Sequence, residues 1–566
     1  MSFRTVYKNH ANVMHYLVLD RAVDFSLLFH KSDSEAYLVA IGAEAICGIP
    51  PSFPKCRILN LSSLITREML ASEVSLRVGE IWRTIADIDS CPYYKVKQIL
   101  DATIEKQIIV EHIARLPGEK RYVKSVTQWI SADGDNSESC RFAALFMSEL
   151  PGFVAQAVCR QYVYMERASR ILRLIIQALR ALLNNTAFGR WHEGEILLGS
   201  AGYGAAKDFR NRVVRETNMG SVVASTLLAG NLMDTMKLLF HDRPIRIKPT
   251  QAERRHFYIS LIRDLFKRCR EVEKVMNRLA KRRISKADYY FTVSYGRLGG
   301  LAIVRFLRRE GIPCFTMQHA FVGHDTWTAS QYHDLWESDA KLVANDTVAT
   351  TLAGFEKPRN KATYLSVSLP MYRDRIKKPG WDGRSVLYIL TGFTRSNTMY
   401  DNRRINDALY IEEVLRDLSK VAKRYETQIR SHPYDKRQYQ DAICRHIASV
   451  VKSPQSNGTD EFAGKALAII DSPSTILADM VLGGRPVILI NRCGHLLNQF
   501  EGQARKHKIL FSVIEDALSY LESVSVESLM LEQRQFSAYL INTFCAPSNE
   551  LSIPQAIEKS LLCPAK

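Results

Sequence analysis

Three short runs carry residue types able to hold a phosphate or move a proton. In QIRSHPYD, Arg430 and His432 leave an apolar run, and Pro433 restricts the residue before it to extended geometry. That restriction sets the direction of the His432 imidazole, which can donate to a phosphate oxygen while Arg430 adds a charge-assisted contact. A surface turn with an incidental histidine reads the same way. In IIDSPSTILADM, Asp471 ends a strand, and Ser472, Ser474 and Thr475 stand at the start of a helix. Hydroxyls and free backbone N–H groups at a helix start form an anion site, and the same residue types are common N-caps. The two roles are compatible. Asp479, one turn further on, suits a ribose contact or a helix-surface charge. In TMQHAFVGHD, Gln318, His319, His324 and Asp325 follow a third strand. A histidine near a carboxylate can act as general base toward a hydroxyl, and a hydrogen-bonded structural histidine is an equal reading.

Those runs need elements that bring strand ends together. EILLGS, AGYGAA and KDFRNRVVRE read as strand, glycine turn and helix. From Asp288 the pattern YYFTVS, YGRLGG, LAIVRFLRREG, IPCFTMQHA is a βαβ unit with a crossover helix. SDAKLVANDTVATTLAGFE and KATYLSVSLP continue it. Residues 371–384, polar and aperiodic, mark a linker between an N-terminal α/β domain (1–370, with additional helical segments) and a second α/β domain (385–566). In the second, SVLYILT is followed by a loop from Gly392 to about Asn406, then the helix ALYIEEVLRDLSKVAKRY and the strands ETQIRS, KALAIID and RPVILIN. HYLVLD, AYLVAIG and CRILNLS near the amino end read as strands, residues 61–116 as mostly helical, and 151–185 as a long helix or helix pair. Arg167, Arg170, Arg173 and Arg180 break the apolar pattern of that stretch, which suits a core helix with an Arg rim better than a membrane-surface helix. The fold class expected is α/β, with two Rossmann-like domains facing a cleft.

The chain has 566 residues and a formal net charge of +18. Residues 241–310 hold 19 Lys and Arg against 7 Asp and Glu, a local excess of +12, so two-thirds of the imbalance sits in one region. Nucleic acid, an anionic membrane surface and phosphorylated ligands are the partners such a balance allows. No helix-turn-helix, RRM or paired zinc ligands accompany it, and YGRLGG lacks the spacing of a phosphate loop, so nucleic acid is not expected. Eleven cysteines without a C-x-x-C pair support neither a disulfide framework nor a zinc ribbon and predict reduced thiols in a cytoplasmic setting. No stretch reaches the ~18–20 apolar residues of a membrane span, and no secretory signal is recognisable.

The order of the motifs resembles a known group. Gln-His after a βαβ unit, then Arg-x-His-Pro, then Asp-x-x-Ser-Thr ahead of Gly-Gly-Arg-Pro-Val, is similar to the GT-B glycosyltransferases and glycerophosphotransferases that build bacterial surface polysaccharides. Sialyltransferases, Kdo transferases and CDP-glycerol glycerophosphotransferases belong to that group. The resemblance covers about residues 285–490. It implies that His432–Pro433 is the HP motif and that Ser474, Thr475 and Asp479 match a Ser-Ser-x-x-x-Asp pattern. Arg430, His432, Ser474 and Thr475 would then hold the donor phosphate, with Gly392, Thr394, Arg395 and Asp479 on the nucleotide side. His319 falls at the position of a Trp-His-Gly base, although this chain reads Gln-His-Ala; His319 is the first choice of catalytic base and Asp325 the second. The activity implied moves a sugar from a nucleotide-activated donor, CMP-sugar slightly favoured, to a surface-polysaccharide or lipid-linked acceptor, and it needs no cofactor and no metal. The basic region would suit docking at the inner face of the cytoplasmic membrane, as in capsule or lipopolysaccharide synthesis. UDP-sugar 2-epimerases share a His-Pro element and a serine-bearing helix start. They are the alternative enzyme class, and a basic membrane- or nucleic-acid-binding protein is the non-enzymatic alternative.

Overall fold

The computed structural model describes residues 15–19, 36–50, 52–83, 107–123, 153–156, 195–198, 204–218, 220–223, 288–292, 298–317, 338–343, 345–353, 363–367, 380–390, 407–430, 437–452, 464–471, 484–491, 501–545 and 551–562, with 104, 105, 263, 270, 274, 477, 480 and 481. Three sheets are formed among them, and the strand pairs within them are parallel.

The first sheet holds β1 (His15–Leu19), β2 (Tyr37–Ala40), β3 (Glu119–Val123) and β4 (Phe153–Gln156) in the order β2-β1-β3-β4. Helices α1 (Ala43–Gly48) and α2 (Arg67–Arg83) belong to it, as does a helical stretch at 107–114. HYLVLD and AYLVAIG are strands as expected. CRILNLS is not. It makes a single bridge, Leu38 to Ile58, between 3-10 turns at Lys55–Arg57 and Leu61–Ser63. The helix expected from residue 151 is likewise corrected at its start, because Phe153–Gln156 pairs as a strand beside β3; residues 157–185 lie outside the described ones. Phe and Val at 153 and 154 suit a pleated surface, and pairing with β3 outweighs the helical spacing further along.

The second sheet contains β5 (Glu195–Leu198), β6 (Gly220–Val223), β7 (Tyr289–Thr292), β8 (Cys314–Met317), β9 (Ala340–Val343) and β10 (Thr363–Ser366) in the order β10-β9-β8-β7-β5-β6. Its helices are α3 (Gly204–Thr217), α4 (Leu298–Arg309) and α5 (Asp346–Ala353). The third contains β11 (Ser385–Ile389), β12 (Glu426–Arg430), β13 (Val450–Lys452), β14 (Leu467–Ile470), β15 (Val487–Ile490) and β16 (Leu510–Phe511) in the order β13-β12-β11-β14-β15-β16. Helices α6 (Asp407–Ala422), α7 (Arg437–His446), α8 (Glu501–Lys506), α9 (Ile514–Ser523), α10 (Val526–Leu540) and α11 (Ile553–Leu562) complete it. Both six-stranded sheets are Rossmann-like, which is the expected α/β class. Strands β11, β14 and β15 are buried at every position, as a parallel sheet covered on both faces requires.

The two faces of the third sheet belong to different cores. Val386, Tyr388, Ile429, Leu467, Ile469 and Ile488 join α6, α9 and the apolar residues of the first sheet in one cluster. Leu387, Ile389, Ala468, Ile470 and Leu489 join Phe291, Phe315, Leu342 and Leu365 of the second sheet in another, through Phe536, Leu540, Ile553 and Ala556 of the last helices. Helix α6 is therefore covered twice. Ala408, Leu409, Tyr410 and Ile411 are all buried, and four consecutive helical residues cannot share one face. The third sheet lies on one side of α6, and α1 and the turn Leu61–Ser63 pack on it from the first unit.

Two carboxylates fasten this arrangement across the chain. Glu412 of α6 accepts the Leu61 N–H at 2.7 Å and the Ser62 N–H at 3.0 Å, donors that the start of a 3-10 turn leaves free. Arg67 pairs with the neighbouring Glu413. On the other side, Glu216 of α3 accepts the Ile553 N–H at the start of α11 at 2.8 Å and pairs with Arg212 at 2.6 Å. Arg212 also donates to the Val367 carbonyl, and the Leu551 N–H donates to the Ser366 carbonyl at 3.1 Å. Helix α11 thus returns from the third sheet to pack on α3 and β10.

Three helices end alike before a strand. Gly311 N–H bonds to Arg308 O and Ile312 N–H to Leu307 O; Gly484 bonds to Val481 and Arg485 to Met480; Lys508 bonds to Arg505 and Ile509 to Ala504. The closing residues have φ of 76°, 67° and 52°. This double closure leaves the helix through a left-handed residue, a conformation natural to glycine and strained for lysine. In the first two cases x-Pro follows, and the proline carbonyl accepts from the adjacent strand: Tyr290 N–H to Pro313 at 3.0 Å and Ala468 N–H to Pro486 at 2.9 Å.

Gly311→Ala meets no atom within 4 Å, so its cost is conformational, about 1 kcal/mol, whereas Lys508→Gly is expected to gain up to about 1 kcal/mol. Urea unfolding of the two variants should move in opposite directions. Glu216 supplies a pH test. Burial alone would raise its pKa, but the Ile553 N–H and the Arg212 charge outweigh it and hold the carboxyl below its ordinary value. Its stabilisation is therefore present above the ordinary carboxylate pKa and lost as pH falls through the lowered one. Glu216→Gln should unfold more easily at neutral pH and show a shallower loss of midpoint temperature between neutral and acidic buffers.

Candidate functional site

An open parallel sheet binds ligands at the carboxyl ends of its strands, where successive crossovers diverge. In the third sheet the chain winds from β11 out to β12 and β13, then returns to β14 on the other side of β11. The divergence falls between β11 and β14. Backbone hydrogen bonds hold the tips level there: Leu390 N–H to Arg430 O at 2.8 Å, and Asp471 N–H to Ile389 O at 3.2 Å. Asn491 N–H donates to Phe511 O at 2.8 Å further along the same edge. The register sets Arg430, Ile389 and Ile470 side by side on β12, β11 and β14. Neighbouring strands are about 4.8 Å apart, so the backbones of Arg430 and Asp471 flank the β11 tip at about 10 Å.

The entry to β11 is fixed by chemistry as well. Asp382 accepts the N–H groups of Arg384 and Ser385 at 2.8 and 2.7 Å and the Ser385 hydroxyl at 2.6 Å, while Gly383 between them takes φ of 76°. Trp381 is buried and its Nε1–H donates to the Ser385 carbonyl at 3.0 Å. Hence the expected linker's last residues are a built turn that starts the central strand at a set height.

Arg430 is half-buried, at the end of a strand whose alternate residues Thr427 and Ile429 are buried. Asp471 is wholly buried at the tip of β14. Of the residues singled out from the sequence, Arg430 and Asp471 are thereby placed on one edge. His432, Ser474, Thr475, Gly392, Thr394, Arg395 and Asp479 lie outside the described residues, as do His319 and Asp325, which follow β8 by two and eight positions in the sequence. Two further polar residues stand on these strands. Asn491 is buried at the tip of β15, and Gln428 stands two residues before Arg430 on the same face of β12. The enclosed Oε1 of Gln428 has no hydrogen-bond partner among the described residues. Alternation in ETQIR carries the signal for Gln428, since a strand sends every second side chain the same way.

In the second sheet, the corresponding divergence lies between β5 and β7. Thr292 is buried at the end of β7, and Asn345 beyond β9 accepts the Val348 N–H at 2.9 Å to cap α5. Asn345 also donates to the Thr543 carbonyl at 3.4 Å, which brings the chain leaving α10 to this edge. Among the described residues, no group of three or more His, Cys, Asp or Glu is placed to hold a metal ion, and no helix is long and apolar enough to cross a membrane.

No family model matches the chain, and no curated protein matches it in sequence. Among solved structures it is similar to UGT89C1 of Arabidopsis thaliana complexed with UDP, at 12% identity and a TM-score of 0.38 over 66% of this chain and 99% of that one. It is also similar to the calicheamicin glycosyltransferase CalG4, at 10% identity and 0.35 over 66% and 99%. A third likeness is to UDP-GlcNAc 2-epimerase from Neisseria meningitidis bound to UDP-GlcNAc, at 10% identity and 0.31 over 62% and 98%.

Proposed function

We propose that this chain is a glycosyltransferase that moves a sugar from a nucleotide-activated donor to a surface-polysaccharide or lipid-linked acceptor. One observation carries the reading: Arg430 and Asp471 flank the tip of the central strand at the divergence point of the third sheet, directly ahead of the His-Pro and Ser-Thr motifs in the sequence. The third sheet is then the donor side and the second the acceptor side. Arg430, His432, Ser474 and Thr475 take the donor phosphate, and Gly392, Thr394, Arg395 and Asp479 the nucleoside.

In the reaction, an acceptor hydroxyl oxygen forms a bond to the activated sugar carbon as the bond from that carbon to the phosphate oxygen breaks. The hydroxyl proton passes to His319, or to Asp325 if the histidine serves only to orient. Negative charge developing on the leaving phosphate is met by the Arg430 guanidinium, the His432 imidazole and hydroxyls at a helix start, groups aimed where charge appears. Protein cations and helix ends can fill this role without a metal. CMP-sugars are the first donors to try. We place the enzyme in the cytoplasm, peripheral on the inner membrane face, because the +12 excess of residues 241–310 would favour anionic lipid.

A thermal-shift screen against CMP, CDP, UDP and GDP tests the donor site. One nucleotide should raise the midpoint of the wild type, His432→Ala should lose that response, and Arg430→Met, which keeps most of the apolar stem, should weaken it while changing the ligand-free stability by less than about 1 kcal/mol. If no nucleotide stabilises the wild type, the assignment fails. Sedimentation with liposomes tests the membrane placement: binding should require anionic lipid and fall as salt rises.

A further inference from the structure

We infer that the first unit of the chain is a positioning element for the donor site, acting on α6 through Glu412 and Arg67. The inference deepens the donor reading of the third sheet and rests on it.

Helix α6 is the crossover from β11 to β12, so it runs antiparallel to the strands and its amino-terminal half lies toward their carboxyl ends. That is the edge on which Leu390, Arg430 and Asp471 stand. Glu412 and Glu413, which the first unit grips through polar groups, both stand in the first two turns of α6. Glu412 takes one N–H on each carboxylate oxygen, Leu61 on Oε1 and Ser62 on Oε2. Two bonds to two consecutive backbone donors fix the rotation of the helix about its axis as well as its height along it. Arg67 adds a mostly buried ion pair to Glu413, the next residue, so a third point of attachment points elsewhere round the helix.

Apolar contacts make the grip specific to the donor side. Helix α1 packs against α6 and also α7, the helices that follow β11 and β12. These two strands end in Ile389 and Arg430, on one side of the divergence point. The helix beyond β14 packs in the other core. Thus the first unit touches the helices that follow the strands ending in Ile389 and Arg430, on the face of the donor sheet opposite the second sheet and α11. A helix held at three points cannot shift by an ångström without breaking a bond, and positioning errors of that size at a binding edge weaken a ligand strongly.

Coupling of this kind is reciprocal and commonly changes affinity by about 5- to 150-fold. The test measures nucleotide dissociation constants by calorimetry for CMP, CDP, UDP and GDP, on the full chain, well below the unfolding midpoints. Arg67→Ala and Glu412→Ala should each weaken the bound nucleotide about fivefold or more, and Arg67→Lys should recover part of the loss. Should Glu412→Ala fail to fold, Arg67→Ala and Arg67→Lys carry the measurement alone. A purely structural joint would lower the midpoint temperature of these variants and leave their dissociation constants at the wild-type value. That result overturns the inference and leaves the donor reading intact. A wild type that binds none of the four nucleotides overturns both.

Discussion

Helix α6 sits between two layers that each need an apolar surface, and a helix of ordinary amphipathicity offers only one. Ala408, Leu409, Tyr410 and Ile411 solve this by being apolar all round, and Val414, Leu418 and Val421 continue the stripe toward the third sheet. Full burial of a Leu, Ile or Val side chain is worth about 1.5–3 kcal/mol, so these residues supply most of the attraction. Glu412 contributes differently. Burial pushes its carboxyl up, against the opposing pull of the Ser62 and Leu61 N–H groups and of Arg416. Its favourable share is thus complete in acid and lost as pH rises through the raised value, which leaves the charged form a cost at neutral pH. The apolar contacts hold the layers together, and the carboxylate sets their register.

Glu216 plays the same geometric part with the opposite electrostatic outcome. Both carboxylates reach to N–H groups more than 300 residues away at a helical start. Glu216 has Arg212 one turn before it and Arg215 nearby, and those charges outweigh its burial. For Glu412 the pull of Arg416 is a minor one, and burial outweighs it. A single kind of cap therefore becomes stabilising or costly at neutral pH according to whether a guanidinium accompanies it into the interior.

The strands of the second and third sheets were legible where a buried run is bounded by turn residues: YYFTVS, IPCFTMQHA, SVLYILT, KALAIID and RPVILIN all form strands. Strands that escaped reading lack that mark. EKRYV hides Lys120 in a central strand, where its ammonium reaches the Ala114 carbonyl at 3.1 Å, and β16 is only Leu510 and Phe511. The first sheet was visible as fragments, but its attachment to α6 was not. Nothing in the string NLSSL or IEEVL announces that Glu412 meets residues 350 positions away, because such a bond depends on how whole layers stack. At the site, the chemistry was readable from residue types and the level edge was not. Asn491 joins that edge through strand pairing, a property that a single run cannot display.

The shortness of β16 leaves its neighbour β15 without a strand partner on that side over part of its length. Leu489 and Ile490 find partners in β16, while Val487 lies beyond its reach. Gln533 of α10 fills that place: its Oε1 accepts the Val487 N–H at 2.9 Å and its Nε2 donates to the Val487 carbonyl at 2.8 Å. One side-chain amide so imitates the peptide group of an absent strand residue. A sheet border with open donors and acceptors invites a strand from a second molecule. Here the border is already taken from within, and the cost of refusing outside strands is a single buried glutamine.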